Sequence, residues 1–435
     1  MKRYILLIAF IHYVCVLFSQ HVSEADALRK AQAFMQEKVA VTTDGKHRAP
    51  RKIGQLSKAI ENDAYYVFNA EDNGGFVIVS GDERTDEILG YSTEGNIDFD
   101  KMPENMKAWL KGYEEQILAI PANVKAVPAK VPTHPAVEPL ITSKWGQGAP
   151  YNLQCPEIDG ERCLTGCVAT ALAQIMFYHK WPEDYTSTIP GYSSYDDLPP
   201  IKFDWKNMKD KYGEFPSDVS AQAVANLMRY CGQAVEMNYG VSASSASEST
   251  DALIDYFGYD KNARRFQAED FSIAQWDSII YNEMAKGRPV WYGAHQKAGI
   301  GHSFVLDGYD GDGLFHINWG WSGYCDGFYK ITNMAPYSEG SDAGTVLGYT
   351  LLQHALIGIQ KPGTVVEQEQ LGIQASVSAF LETNGYSILK FVNYTGENVV
   401  VDIGLSIEGI NGTPYSLMDT IEEEKVIKSG MGDNI

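Results

Sequence analysis

The proline-rich segment at 121–139 constrains this chain more than any other feature. It holds five prolines among alanine, valine and lysine residues. A proline ring fixes φ and removes a backbone N–H, so we expect an extended segment that joins no regular helix and exposes its backbone to proteases. At 435 residues the chain is also too long for one ordinary domain. We predict a domain boundary here, with Lys125 and Lys130 as candidate cleavage positions; an ordinary interdomain linker is the alternative.

The N-terminal residues have the pattern of an export signal. Lys2 and Arg3 precede an apolar run from Tyr4 to Phe18 that is too short to span a bilayer. We therefore predict that residues 1–20 are a signal peptide and that the protein is secreted or held at the cell surface.

Residues 21–120 are expected to form a small α+β unit. Ser23 and Asp26 have the spacing of a helix capping box, and the apolar residues after them repeat with a helical period. This pattern predicts a helix over 23–39. Two strand-like runs within 64–80 flank the sequence NGG, which predicts a β-hairpin.

Residues 140–362 form the largest block, and residues 363–435 have a different character. The large block mixes helical patterns with strand-like runs, whereas the tail carries short alternating runs typical of antiparallel strands. The predicted fold class is α+β, with the tail as a short antiparallel β module. In the large block the patterns predict helices at 167–180, 217–231, 248–257 and 272–286, and strands near 289–293, 303–309 and 313–318.

The net charge of the chain limits its partners. A formal charge of −21 repels nucleic acid and anionic membranes, and no basic patch in the sequence reverses it. We therefore expect neither nucleic acid nor a membrane surface as a partner.

The cysteine count gives the first chemical signal. Of six cysteines, one lies in the signal segment, so an odd number remains, and a secreted chain then keeps one thiol free or shares it between molecules. Cys167 follows a glycine at the first turn of an apolar helical stripe, where free N–H groups and the helix dipole lower the pKa of a thiol. A structural cysteine that starts a core helix is the alternative. The pairing of the others stays open: Cys155, Cys163, Cys231 and Cys325.

His302 is the candidate partner of this thiol. Glycines precede it and an apolar strand follows, so its ring would be held on a rigid element within reach of a substrate. Asn318, on the next strand, is placed to accept the proton of His302 Nδ1, and Trp319 to shield that bond from water. Gln147 offers an amide for an oxyanion hole. Each residue alone has a structural alternative, but the order Gln, Cys, His, Asn is that of papain-like enzymes.

Longer strings carry a family resemblance. The sequence resembles the streptopain family of bacterial cysteine proteases (peptidase family C10), which includes the interpain-type enzymes. The resemblance covers about 21–362 and implies a papain-like catalytic domain of two subdomains at 140–362, preceded by an inhibitory pro-domain at 21–120. The strings are GFVIVSGDERTDEILGYS, QGAPYN, TGCVATALAQIMFYH, VEMNYG, GHSFVLDGYD and FHINWGWSGYCDGFY. The extra cysteines and the β tail depart from the family's best-known member.

The same resemblance implies roles for individual residues. It makes Cys167 the nucleophile, His302 the base and Gln147 the oxyanion-hole donor, and it places the Asn318–Trp319 pair where papain has its catalytic asparagine. It also implies that residues 338–348 form a mobile loop beside the pocket. Three further positions match the substrate cleft or an active-site tryptophan: Ser245, Gly301 and Trp321.

The sequence therefore predicts a secreted bacterial cysteine endopeptidase made as a zymogen, whose pro-domain is an intramolecular inhibitor until 121–139 is cut. Its substrates would be proteins or peptides, and the chemistry needs no metal or organic cofactor. Two alternatives remain: a transpeptidase or amidase that acts on cell-wall peptides, and a catalytically inactive binding module. The sequence does not predict cleavage specificity, physiological substrate, the role of the β module or the oligomeric state.

Overall fold

The structure, a computed structural model, describes residues 21–42, 54–120, 134–213, 218–295, 301–331 and 352–364, and the backbone of strands between 373 and 434. Three predicted features lie outside these residues: the signal peptide, most of the proline-rich segment and the loop at 338–348. Within the described part of the chain, no helix has the length and apolar character that crossing a bilayer needs.

The N-terminal residues form a small α+β unit, as predicted. The predicted first helix begins beside Ser23, whose Oγ accepts the backbone N–H of Asp26, and the predicted hairpin pairs its two strands antiparallel. A second helix was not predicted; its buried face includes Trp109 and Tyr113. The elements are α1 (Glu24–Thr42), β1 (Leu56–Glu61), β2 (Tyr65–Ala70), β3 (Phe76–Ser80), β4 (Ile88–Ser92) and α2 (Glu104–Leu118).

In the described residues of the large block there are three α-helices and the remaining strands of the ten-stranded sheet, with a separate pair of short strands. Three of its four predicted helices are present, as are its three predicted strands. The elements are β5 (Glu157–Ile158), β6 (Glu161–Arg162), α3 (Cys167–His179), α4 (Val219–Ala234), β7 (Arg264–Gln267), α5 (Ile273–Ala285), β8 (Val290–His295), β9 (Gly301–Tyr309), β10 (Phe315–Asn318), β11 (Gly327–Tyr329) and β12 (Leu352–Ile357).

The helix predicted over 248–257 is reduced to a short π-helical turn, Ala252–Tyr256. Ser249 Oγ accepts the backbone N–H of Ala252, so helical structure begins only after this serine. The side chain of Glu248 turns inward instead and binds His354.

One antiparallel sheet runs through both units. Its order is β1-β2-β3-β4-β11-β10-β9-β8-β12-β7, so β4 of the small unit pairs edge to edge with β11 of the large block. The Tyr91 and Phe328 rings stack across this junction with centroids 5.2 Å apart. The small unit thus extends the sheet of the large block, and this shared sheet places α2 beside the large block.

Alternate residues of the central strands enter two separate apolar cores. On β9, Phe304 and Leu306 belong to a core with α2 and α5, whereas Val305 belongs to a core with α3 and α4. Because side chains of a strand alternate between faces, helices cover both sides of this part of the sheet. The predicted α+β class is confirmed.

The C-terminal tail is a β module, as predicted. Its strands pair antiparallel as β13 with β14, β14 with β17, and β15 with β16. They are β13 (Ile373–Leu381), β14 (Tyr386–Asn393), β15 (Val399–Gly409), β16 (Thr413–Ile427) and β17 (Gly432–Asn434).

Candidate active site

Cys167 is the first residue of α3, as the sequence predicted. The residue before it, Gly166, has φ of 83°, and a side chain there would lie 2.7 Å from Met237. Glycine is therefore required at this turn for two reasons, the left-handed backbone and the close approach of Met237. The Cys167 side chain is half-buried, while the residues that follow it on α3 are buried in the core.

His302 lies on β9 with its ring fixed by a backbone carbonyl. Its Nε2 is 2.8 Å from the carbonyl oxygen of Trp319, which sets the tautomer with the proton on Nε2. The ring also stacks on Trp321 with centroids 4.7 Å apart. The remaining nitrogen, Nδ1, is left to exchange a proton with a neighbouring group.

The expected contact between Asn318 and His302 Nδ1 is absent from the described structure and is corrected here. The Asn318 oxygen accepts instead from Gln174 Nε2 at 2.9 Å and from the Gly320 N–H at 3.1 Å. Asn318 is the last residue of β10, and its side chain points toward α3. The group that binds His302 Nε2 is instead the backbone carbonyl of the next residue, Trp319.

Trp319 is almost fully buried behind His302. It stacks parallel to Trp321 at 5.0 Å and packs edge-on against Trp109 of α2 at 5.5 Å. Its indole therefore covers the bond between its own carbonyl and His302, in a place suited to the shielding role expected from the sequence.

The backbone of Trp319 is held by a residue that sequence reasoning missed. Its N–H donates to Asp326 Oδ1 at 2.9 Å. Burial raises the pKa of Asp326 to about 6, with the nearby His316 acting in the opposite direction. In the sequence, Asp326 carries no pattern that separates it from an ordinary loop carboxylate.

One cleft brings most of the predicted residues together. A cavity of about 950 Å³ is lined by Cys167, His302 and Gln147, and also by Ser245, Gly301 and Trp321. Asn318 and Trp319 do not line it but lie behind His302. The small unit contributes Pro103, Glu104 and Asn105 to the same cleft.

Asn105 makes the most direct contact from the small unit. Its Nδ2 lies 2.9 Å from Nδ1 of His302 and also donates to the carbonyl of Gly301 at 2.9 Å. The Asn105 amide therefore donates to the ring nitrogen of His302 that the Trp319 carbonyl does not bind. Sequence reasoning missed Asn105, since almost two hundred residues separate it from His302.

With the small unit in place, the Cys167 thiol and the His302 imidazole are both uncharged. Burial raises the pKa of the Cys167 thiol to about 11, contrary to the lowering expected at a helix start. Burial also lowers the pKa of His302 to about 4, although the Trp319 carbonyl and Glu248 favour its protonation. At neutral pH the pair is a thiol and a neutral imidazole, because for both groups the loss of water outweighs the hydrogen bonds that would stabilise the charged form.

A buried carboxyl–imidazole pair lines the same cleft. Glu248 Oε2 and His354 Nε2 are 2.7 Å apart; burial opposes ionisation of the carboxyl, but its bond to His354 lowers the pKa of Glu248. A side chain on Gly293 of β8 would come within 2.3 Å of His354, so the pair requires glycine there. Sequence reasoning also missed this pair.

A helix-start cysteine, a histidine on a facing strand and a glutamine amide around one cleft, on an α+β scaffold, define a papain-like cysteine peptidase. The sequence matches the profile of the Peptidase C10 family over 145–329 and that of the Spi protease inhibitor over 19–117. Streptopain from Streptococcus pyogenes is 36% identical over 371 residues, 78% of this chain and 92% of that protein. The chain belongs to the Peptidase C10 family and is a cysteine peptidase with an inhibitor-like N-terminal domain.

Two further relatives agree with this assignment. The thiol protease/hemagglutinin PrtT of Porphyromonas gingivalis is 32% identical over 385 residues, which is 80% of this chain and 44% of that protein. The structure of a mutant fragment of prointerpain A from Prevotella intermedia superposes with a TM-score of 0.59 and 35% identity, covering 71% of this chain and 99% of the fragment.

Proposed function

We propose that this chain is the zymogen of an exported cysteine endopeptidase in which Cys167 is the nucleophile and His302 the general base and acid. The observation that carries the proposal is the convergence of Cys167, His302 and Gln147 on one cleft, with His302 Nε2 anchored by a carbonyl. That anchor leaves Nδ1 to exchange a proton with the thiol.

The reaction proceeds in two acyl-transfer steps. With the small unit displaced, the Cys167 proton passes to His302 Nδ1, and the thiolate attacks the peptide carbonyl carbon. The oxyanion is stabilised by the Gln147 amide and the Cys167 backbone N–H. The intermediate collapses as His302 donates its proton to the leaving amine. Water, deprotonated by His302, then attacks the thioester and releases the acid and the free thiol.

The small unit keeps the precursor inactive by blocking proton exchange. Asn105 binds His302 Nδ1, and α2 closes over the cleft, so the thiol and imidazole stay neutral. Removal of residues 21–120 would admit water and substrate, and the two charges of the reactive pair would then be stabilised by solvent.

The cut that activates the enzyme falls before residue 134. Val137 pairs with Tyr309 through two backbone bonds of 2.8 Å, and the Ile141 N–H donates to the Asp307 carboxylate at 2.7 Å. His134 also stacks on Tyr281 of the large block with ring centroids 4.1 Å apart, so these contacts support a mature enzyme that keeps the residues from 134 onward. This narrows the proposed processing segment to 121–133, which contains both candidate lysines.

The decisive experiment compares purified precursor with its Cys167→Ala variant. Wild-type protein is expected to process itself, hydrolyse casein and be labelled by an epoxide inhibitor of papain-like enzymes, and the variant to do none of these. Processing of the variant at the wild-type rate would contradict the assignment of Cys167. Turnover of cell-wall peptides alone, without casein hydrolysis, would favour an amidase.

A further inference from the structure

Gln174 is a fully buried amide on α3, two turns after Cys167. A buried amide is costly unless both its oxygen and its nitrogen are hydrogen-bonded. Gln174 satisfies both, and its partners belong to two other segments of the active site. None of the roles assigned above includes it.

The Gln174 oxygen binds the segment that carries the oxyanion-hole glutamine. Oε1 accepts from Ser143 Oγ at 2.9 Å and from the Trp145 N–H at 3.3 Å. Gln147 lies two residues after Trp145 on the same segment. The bonds therefore fix the position of that segment relative to the helix that begins with Cys167.

The Gln174 nitrogen binds the segment that holds the histidine. Nε2 donates to Asn318 Oδ1 at 2.9 Å, and Asn318 Oδ1 also accepts the Gly320 N–H at 3.1 Å. The Gly320 N–H and the Trp319 C=O belong to one planar peptide group. Asn318 thus orients the carbonyl that binds His302 Nε2, and Gln174 holds Asn318.

We propose that Gln174 is a positioning residue that sets the relative placement of the nucleophile, the oxyanion-hole donor and the acceptor of the histidine proton. The inference rests on the proposed function of Cys167 and His302. Gln174 touches no substrate; it acts because one side-chain amide joins the three chain segments that carry these groups. Leucine has neither the donor nor the acceptor. Glutamate can still accept from Asn318 Nδ2, which lies 3.2 Å from the Gln174 oxygen, but it loses the donor to Asn318 Oδ1.

Gln233 provides a matched control for the cost of losing a buried amide. It is also almost fully buried, and its Nε2 contacts the carbonyls of Ile189, Pro190 and Asp196, none of which lines the cleft. Gln233→Leu should therefore lower stability without disturbing the three active-site segments.

The test uses mature enzyme carrying Gln174→Leu, Gln174→Glu or Gln233→Leu. Both Gln174 variants are expected to lose about 10- to 100-fold in kcat with KM within about threefold, as for other residues that orient catalytic groups. The alkaline limb of their pH–rate profile should move down by about half a unit, because the imidazolium loses its aligned acceptor. Gln233→Leu should lower the melting temperature about as much as Gln174→Leu does, but it should keep the wild-type kcat and pH–rate profile.

A double variant shows whether Gln174 acts through Asn318. If it does, Gln174→Leu should lower kcat by a much smaller factor in an Asn318→Ala background than in the wild type, since the bond between Gln174 and Asn318 is already absent there. Should Gln174→Leu not fold, Gln174→Glu has the same shape and carries the same test. Wild-type kcat in a folded Gln174 variant would overturn the proposal, whereas an inactive wild-type enzyme would overturn the proposed function instead.

Discussion

The side chain of Asn105 lies 2.9 Å from Nδ1 of His302, whose other ring nitrogen is bound by the Trp319 carbonyl at 2.8 Å. Both nitrogens of the proposed base are therefore occupied in the precursor, one by the catalytic unit itself and one by the inhibitor-like unit. We propose that the first contact prepares the ring for catalysis and that the second prevents catalysis in the precursor.

Removing the Asn105 amide should weaken latency. In Asn105→Ala precursor, Nδ1 of His302 loses its donor, and a hydrogen bond of this kind is worth about 1 kcal/mol, or about a fivefold effect. We expect self-processing to accelerate by that order, measured as the initial rate of conversion on gels. Glu115→Gln, at an exposed position of α2 outside the cleft, is the control and should leave the rate unchanged. An unaltered rate in Asn105→Ala would contradict a role for this contact in latency.

Alkylation of Cys167 should distinguish precursor from mature enzyme. With the pKa of Cys167 raised to about 11 in the precursor, only about one thiol in ten thousand is ionised at pH 7. Iodoacetamide should therefore modify Cys167 slowly in the precursor and much faster after processing, as measured by mass spectrometry of the Cys167 peptide. Cys155, which is buried with its pKa raised to about 12, serves as an internal control and should react slowly in both. Equal alkylation rates of Cys167 in the precursor and the mature enzyme would contradict the conclusion that the Cys167 thiol is uncharged in the precursor.

An ion pair between the two units should contribute to their docking. Lys38 Nζ of α1 lies 2.9 Å from Asp310 Oδ2 and 2.7 Å from Asp312 Oδ2, and Asp310 is buried. In Lys38→Met precursor the buried carboxylate loses this cation, so we expect a destabilisation of about 1–3 kcal/mol, seen as a lower melting temperature and faster processing. Lys101→Met removes an exposed pair with Asp98 and should cost less than about 1 kcal/mol. Equal effects of the two substitutions would argue against the buried contact.

The Asp326 carboxylate should make stability depend on pH. Its pKa of about 6 in the folded protein exceeds the ordinary 3.8, so ionisation is more costly folded than unfolded. The folded state then binds the proton more tightly, and stability falls as pH rises from about 4 to about 6, by on the order of 3 kcal/mol. Asp326→Asn keeps the acceptor for Trp319 but removes the charge. We expect it to stabilise mature enzyme at pH 7.5 and to have little effect at pH 4.

Melting curves of the mature enzyme at both pH values check this prediction. Asp184→Asn, at a carboxylate that is 86% exposed, is the control and should show no such trend. A uniform loss of stability in Asp326→Asn at both pH values would contradict the prediction, because the native carboxyl is protonated at pH 4 and charged at pH 7.5.

Local sequence patterns were sufficient for many individual elements. The helical stripe after Cys167 and the apolar strand after His302 are short-range patterns, and the structure has both where they were predicted. The pattern over 248–257 forms only a short helical turn at 250–256, because its first residue, Glu248, pairs with His354, a partner about a hundred residues away that no local window contains. The sequence analysis also did not predict the helix α2, whose buried face packs in the inhibitor-like unit.

The sequence by itself determined the class of the protein and named Cys167, His302 and Gln147, because this chemistry needs particular side chains and their order along the chain is that of papain-like enzymes. Only the tertiary structure decided how His302 is held. Its acceptor is a backbone carbonyl, which every residue possesses and no sequence pattern marks, and the supports of that carbonyl, Gln174 and Asp326, look ordinary until the chain is folded. The contact from Asn105 depends on a sheet that joins two units across the proline-rich segment. Such long-range contacts arise from packing, which is why they were absent from the prediction.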